Sequence, residues 1–259
     1  IVLINQPNIE LIKEDLKIAI EDDYSLVNVT YYLKNNAYTD SEITYGFPIQ
    51  FIRNEVQYEL EWQDDYLPEI EFILNGYELE IKHQVDLSTE EVEVDDYGSV
   101  DMRKSWHVVD FSVLKGATAV LNVKYKVKNG YEDWSTTKNF FPSFGERRMS
   151  YDFNPAKKWG DGIVSNFKVE IDARQVYGNG GSLKVSGLQL INESGIHTFS
   201  AKNFNLTDSK ELNISYSNEA QKLSNFINEH RVSADKMSIS ATSNLEGDYR
   251  PNNLFDSDL

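Results

Sequence analysis

Residues able to carry chemistry are sparse and scattered in this chain. His83, His107, His197 and His230 stand apart, with no HxH or HExxH spacing that would aim two imidazoles at one metal ion. Each reads as a strand-face or surface residue. Cysteine is absent, which removes thiol nucleophiles, thiolate metal sites and disulfides together. There is no GxSxG nucleophile turn and no phosphate-binding glycine loop; Gly178, Gly180 and Gly181 lie between apolar runs and read as a turn. With 42 acidic residues, a glycosidase-like carboxylate pair is neither picked out nor excluded by spacing. Oxygen-rich acidic loops bind calcium, which makes Asp95, Asp96 and Asp101 candidate ligands, with Asp256 and Asp258 as a second set. The first set lacks the EF-hand spacing and its closing glutamate, so a solvated loop is the preferred reading. Trp62, Trp106, Trp134 and Trp159 would stack on sugar rings if exposed and fill the core if buried. Trp134, inside the polar run YEDWSTTK, is the one candidate for an exposed ligand-binding ring. Asn28, Asn192, Asn205 and Asn213 each begin an N-x-Ser/Thr triplet, which matters only in a glycosylating host. No residue is assigned a catalytic or cofactor-binding role.

The elements that would position such residues are strands. From Tyr24 to Arg53, Val27, Val29, Tyr31 and Leu33 alternate with polar residues, and so do Ile43, Tyr45, Phe47, Ile49 and Phe51. Period-two alternation over this length fits half-buried strands and makes no apolar stripe on a helix. Asn35, Asn36, Asp40 and Ser41 supply turn chemistry between the halves, so the two are expected to pair antiparallel. A first strand is expected at Leu16, Ile18 and Ile20, and another at residues 56–62. Asn75-Gly76, flanked by alternating apolar residues, is the strongest hairpin signal, because both residues accept a positive φ. The acidic stretch from Ser88 to Met102 reads as an exposed excursion or as a joint between two halves. Beyond it, Leu121, Val123, Tyr125 and Val127 alternate with lysines, and Ile163, Ser165, Phe167, Val169 and Ile171 alternate with polar residues. Leu183 to Ile191 reads as a central strand, and short strands follow near Ile196, Phe204 and Leu212. Asn218 to Glu229 is the one helix candidate, with Ala220, Leu223, Phe226 and Ile227 on one face. The implied fold is all-β, an antiparallel β-sandwich or two sandwiches in series.

Composition sets the outer bounds. The 259 residues are 40% hydrophobic and 12% aromatic, enough for a packed core. A net charge of −17 opposes nonspecific binding to DNA, RNA or anionic lipid, and only Arg147-Arg148 with Lys157-Lys158 hints at a basic patch. No run approaches the roughly 18 apolar residues of a membrane span. The chain opens at Ile1 without methionine or a signal-like segment, as expected of an exported product whose leader has been removed or trimmed.

Two stretches resemble known families. NVTYYLKN and ITYGFPI, followed by YDFNPAKKW and GIVSNFKVEID, resemble exported bacterial all-β proteins grouped as a domain of unknown function. The matching residues are Gly46, Phe47, Pro48, Tyr151, Pro155, Ala156 and Trp159, within roughly residues 9–215. The resemblance implies export, a β fold and an architectural role for these residues, but no activity. The tail KMSISATSNLEGDYRPNNLFDSDL is similar to the start of discoidin-like, NADase-type glycan-binding modules, through Ile239, Ala241, Ser243, Tyr249, Pro251, Asn253, Leu254, Asp256 and Asp258. Ser257 departs from the glycine usual there.

These readings divide the chain into a β-sandwich region, 1–217, with a potential sub-boundary near 88–104. A helix or linker follows at 218–235, then the truncated start of a glycan-binding domain at 236–259. The expected function is a non-enzymatic, secreted or cell-surface scaffold or binding protein, with carbohydrate or a surface protein as partner. It needs no cofactor, calcium being the one candidate. The alternative is a cell-envelope enzyme acting on glycans through loop-borne carboxylates, which two facing carboxylates in a deep cleft would favour.

Overall fold

Fifteen described strands form three sheets, and two short helical turns interrupt them. The computed structural model describes residues 8–53, 69–93, 99–133, 145–153, 155–208 and 211–217. The expected strand at 56–62, the helix candidate from Asn218 and the tail at 236–259 lie outside the described residues.

The large sheet runs β13 (Ile191–Glu193), β14 (Ile196–Asn205), β11 (Ile163–Asp172), β1 (Ile9–Ile20), β2 (Tyr24–Asn35), β8 (Thr118–Lys128), β4 (Ile70–Leu74) and β5 (Tyr77–Glu78). Its neighbours are antiparallel except β1 and β11, which run parallel. Two smaller sheets supply the other layer. One is β3 (Ser41–Arg53), β7 (Ser99–Val113) and β6 (Lys82–Glu93). The other is β12 (Ser182–Ser186), β15 (Glu211–Ser217), β10 (Gly145–Asp152) and β9 (Gly130–Asp133). The fold is an all-β sandwich, as the alternation implies.

The core sits between the layers. Leu16, Val29, Leu121, Phe167 and Val169 of the large sheet are buried against Ile43, Tyr45, Val109, Met149 and Ile214 of the small ones. Each such side chain contributes about 1.5–3 kcal/mol relative to exposure, so the strand faces are strongly specified. Phe47 and Tyr125 pack at its margin with ring centroids 4.8 Å apart.

Several expectations are corrected. The alternating halves of Tyr24–Arg53 do not pair with each other: β2 lies between β1 and β8, while β3 pairs with β7 in another sheet. Their apolar faces oppose each other across the core, with Tyr31 and Tyr45 centroids 6.5 Å apart. The connection is a corner built on buried Asn35, whose Nδ2 donates to Thr39 O at 3.0 Å and Val113 O at 2.8 Å. Its Oδ1 accepts the Ala37 N–H at 2.8 Å. In the acidic stretch, residues 88–93 and 99–102 belong to β6 and β7, which pair antiparallel. At the start of β11, Ile163 is exposed and Val164 is buried, the reverse of the expected face. Leu183 to Ile191 is not a central strand but two edge strands, β12 and β13. Gly187 separates them at φ 98°, where a Cβ would come within 2.2 Å of Glu211 O. A five-residue helix, α1 (Arg174–Gly178), was not foreseen.

Asn75-Gly76 is the hairpin turn expected, joining β4 to β5 with φ of 51° and 89°. Asn75 also accepts the Val120 N–H on Oδ1 at 2.9 Å, which ties the turn to β8.

Candidate functional site

Glu14 is the most strongly shifted carboxyl among the described residues, and a β-bulge puts it in the core. In β1, Leu11 pairs with Leu33 and Lys13 with Tyr32, so Ile12 is an extra residue. The bulge reverses parity: Ile9 and Leu11 face the core before it, and Glu14, Leu16 and Ile18 after it. Glu14 is fully buried. Tyr151 Oη donates to its Oε1 at 3.4 Å, and Oε2 has no partner among the described residues. Tyr151 Oη also shares a 3.1 Å hydrogen bond with Tyr31 Oη. Tyr45 packs beside Tyr31, and the Trp159 indole stacks on Tyr45 at 6.0 Å between centroids. Burial disfavours the carboxylate, so the Glu14 pKa is pushed up to about 8, with the Tyr151 hydrogen bond pulling the other way. The same burial raises the Tyr31, Tyr45 and Tyr151 phenols. At neutral pH the cluster is uncharged, and its buried position gives a substrate no access. It is a polar core element.

The opposite face of the large sheet is polar, and its register places residues in rows across the strands. One row is Lys202, Asn166, Lys13 and Tyr32; the next is Ser200, Lys168, Asp15, Thr30 and Asn122; the third is Thr198, Glu170, Lys17, Asn28, Lys124 and Glu71. Asn122 Nδ2 donates to Asn28 Oδ1 at 2.6 Å and Thr30 Oγ1 at 2.8 Å, so this N-x-Thr triplet is used inside the sheet face. Asp15 pairs with Lys13, and Glu170 takes both Lys168 at 3.3 Å and Lys17 at 3.7 Å. A shallow groove of about 350 Å³ runs over β1, β11 and β14, bordered by Lys13, Asp15, Asn166, Lys168, Ser200 and Lys202.

Two histidines meet as register partners, and a third, His197, lies in another sheet. His107 is buried in β7, directly opposite Phe47 and His83 in the register. His197 sits below α1, its Nε2 2.9 Å from Tyr177 Oη and its ring stacked on that phenol. Partial burial holds the His197 imidazole below its ordinary value. Among the described residues, no three His, Asp or Glu side chains are grouped to hold a metal ion.

Of the sequence candidates, Asp95, Asp96, Trp134, Asp256 and Asp258 lie outside the described residues. Asp101 lies in β7 at the register position opposite Arg53 and Glu91. Four of the signature residues, Gly46, Tyr151, Ala156 and Trp159, are buried in the core instead. Gly46 is buried beside Tyr45, and Phe47 and Pro48 continue β3 opposite His107 and Trp106. Pro155 opens the helical turn Ala156–Lys158; Ala156 and Trp159 are buried, and Tyr151 touches Glu14. Sequence reading missed Glu14 itself. The signal was a parity clash, since Leu11 and Leu16 cannot share a face in an unbroken strand.

No family model matches the chain, and no curated protein matches it. Among solved structures it is similar to a "putative nutrient binding protein" from Legionella pneumophila, with TM-score 0.54 and 11% identity, over 82% of this chain and 68% of that one. It also aligns with yeast LTA4 hydrolase at TM-score 0.42 and 14% identity, over 81% of this chain and 29% of that one. An M1 zinc metallopeptidase from Deinococcus radiodurans aligns at TM-score 0.35 and 12% identity, over 83% and 43%. At these identities the first likeness is one of fold, and the peptidase alignments carry no argument.

Proposed function

We propose that this chain is a non-enzymatic binding module, secreted or displayed at a cell surface, whose partner is carbohydrate. The observation that carries this reading is the outer face of the large sheet. There, side-chain amides, hydroxyls and charges are held in rows by strand register and border an open groove. Sugar hydroxyls are recognised by such groups when their positions are fixed beforehand, because little ordering is left for binding to oppose. The strongly shifted carboxyl, Glu14, is sealed in the core and unavailable to a ligand. The L. pneumophila protein of similar fold, described as nutrient binding, fits such a role.

The test is affinity electrophoresis of the purified chain through gels containing one soluble polysaccharide each, neutral and acidic. Product length is measured on the same mixtures. Retardation without shortening of the polymer is expected. Shortened polymer would make the protein an enzyme, and free migration in every gel would remove carbohydrate as the partner.

A further inference from the structure

On the binding reading above, we infer that the groove over β1, β11 and β14 is a docking surface for an acidic polysaccharide. The groove's charge runs against the charge of the chain. Overall, 42 acidic residues outnumber 25 basic ones, yet the groove is bordered by Lys13, Lys168 and Lys202 with Asp15 as its one carboxylate. The arrangement is fixed by register. Lys13 and Lys202 flank Asn166 in one row, while Lys168 lies between Ser200 and Asp15 in the next. Asp15 is engaged by Lys13, and Glu170 is shared by Lys168 and Lys17, so carboxylates on this face are outnumbered by the ammonium groups beside them. Lys202 is exposed and forms no ion pair among the described residues.

Strands pack about 4.8 Å apart, so Lys202 and Lys13, two strands apart, stand about 10 Å from each other at the backbone. That span suits carboxylates repeated along a polymer better than a single small anion. Asn166 and Ser200, set between the lysines, supply the neutral donors and acceptors that sugar hydroxyls need. Nucleic acid is disfavoured because the groove lining offers no exposed aromatic ring on which a base could stack, its one ring, Phe167, being buried. A uronic acid polymer presents hydroxyls between its carboxylates, which matches the alternation of lysines with amide and hydroxyl groups.

The probe is polygalacturonate, compared with dextran as a neutral polymer and single-stranded DNA as a phosphate polymer. The full chain and a K13Q/K168Q/K202Q variant are run in the same affinity gels, and their thermal unfolding is compared. Retardation by polygalacturonate that weakens as salt rises, and that falls about tenfold or more in the variant at unchanged unfolding temperature, is the expected result. Because Lys168 and Lys202 are exposed and Lys13 is only half-buried, the variant should fold; if it does not, single K202Q, which breaks no ion pair among the described residues, must show a smaller loss in the same direction. Equal retardation of variant and parent overturns the inference. Retardation by dextran alone overturns it while leaving the carbohydrate-binding reading standing, and stronger retardation by DNA than by polygalacturonate overturns it in favour of a phosphate polymer. Free migration in every gel removes both readings.

Discussion

Replacing Glu14 by glutamine should remove a defined part of the pH dependence of folding. In the unfolded chain the carboxyl titrates near its ordinary value of 4.5, whereas in the core burial lifts it to about 8. The folded state therefore holds a proton that the unfolded state releases between those values. Stability from this group is fully present below pH 4.5, falls by about 1.4 kcal/mol per pH unit above it, and is lost once pH passes 8. The total over that window is about 5 kcal/mol, of the same order as the net stability of many domains. Glutamine has nearly the same shape and does not ionise. Near pH 4.5 it should be the less stable form, because its amide N–H groups meet a site that offers few acceptors. As pH rises to 8, the balance between the two proteins should move toward the variant by about 5 kcal/mol. Urea unfolding at half-unit pH steps, followed by tryptophan fluorescence, measures this directly. Taking the difference between the two proteins cancels every other titrating group. Parallel stability curves across pH 4.5–8 would refute the reasoning, and would mean that Glu14 is solvated or charged in the native state.

Other outcomes follow from single contacts. Gly187→Ala should destabilise the protein by about 1–3 kcal/mol or more, since φ 98° and the approach to Glu211 O leave no room for Cβ; thermal unfolding reads it. Tyr216→Phe removes the acceptor of Asn129 Nδ2 and the donor to the Glu21 and Asp22 carbonyls, at a cost of about 1–3 kcal/mol in the same assay. His197 should titrate by NMR below 6.5, so its contribution to stability is present above that value and lost as pH falls through its folded-state midpoint. A midpoint at or above 6.5 would contradict its partial burial under α1.

Alternation made the strands legible because it is a property of one strand and one face. Val27 to Leu33 and Leu121 to Tyr125 could be assigned inward from the sequence alone. Partners were less legible, because alternation states which way a side chain points and not which strand lies alongside. That is why β2 and β3, adjacent in sequence and both amphipathic, read as a hairpin although they lie in opposite layers. Bulges hide for a related reason. One inserted residue at Ile12 turns Glu14 inward, and a glutamate in a polar run is read as solvated unless parity is counted from both ends of the strand. The outer face was legible as exposed lysines. Its rows depend on β11 lying next to β1, a pairing between segments about 150 residues apart that no local pattern encodes.

That parallel pairing orders the events of folding. β1 precedes the other described strands in the chain yet lies between β2 and β11 in the sheet. During synthesis it can pair with β2 at once, but its other edge stays open until β11 follows much later, and β14 must then cover β11. Closing so long a segment is entropically costly and slow. Throughout that interval the nascent chain carries an exposed strand edge, bordered on its inner side by the apolar residues Leu16, Ile18 and Ile20. A nascent chain from which β11 has not yet emerged should therefore aggregate or recruit a strand-binding chaperone, and one with residues up to 217 clear of the ribosome should not.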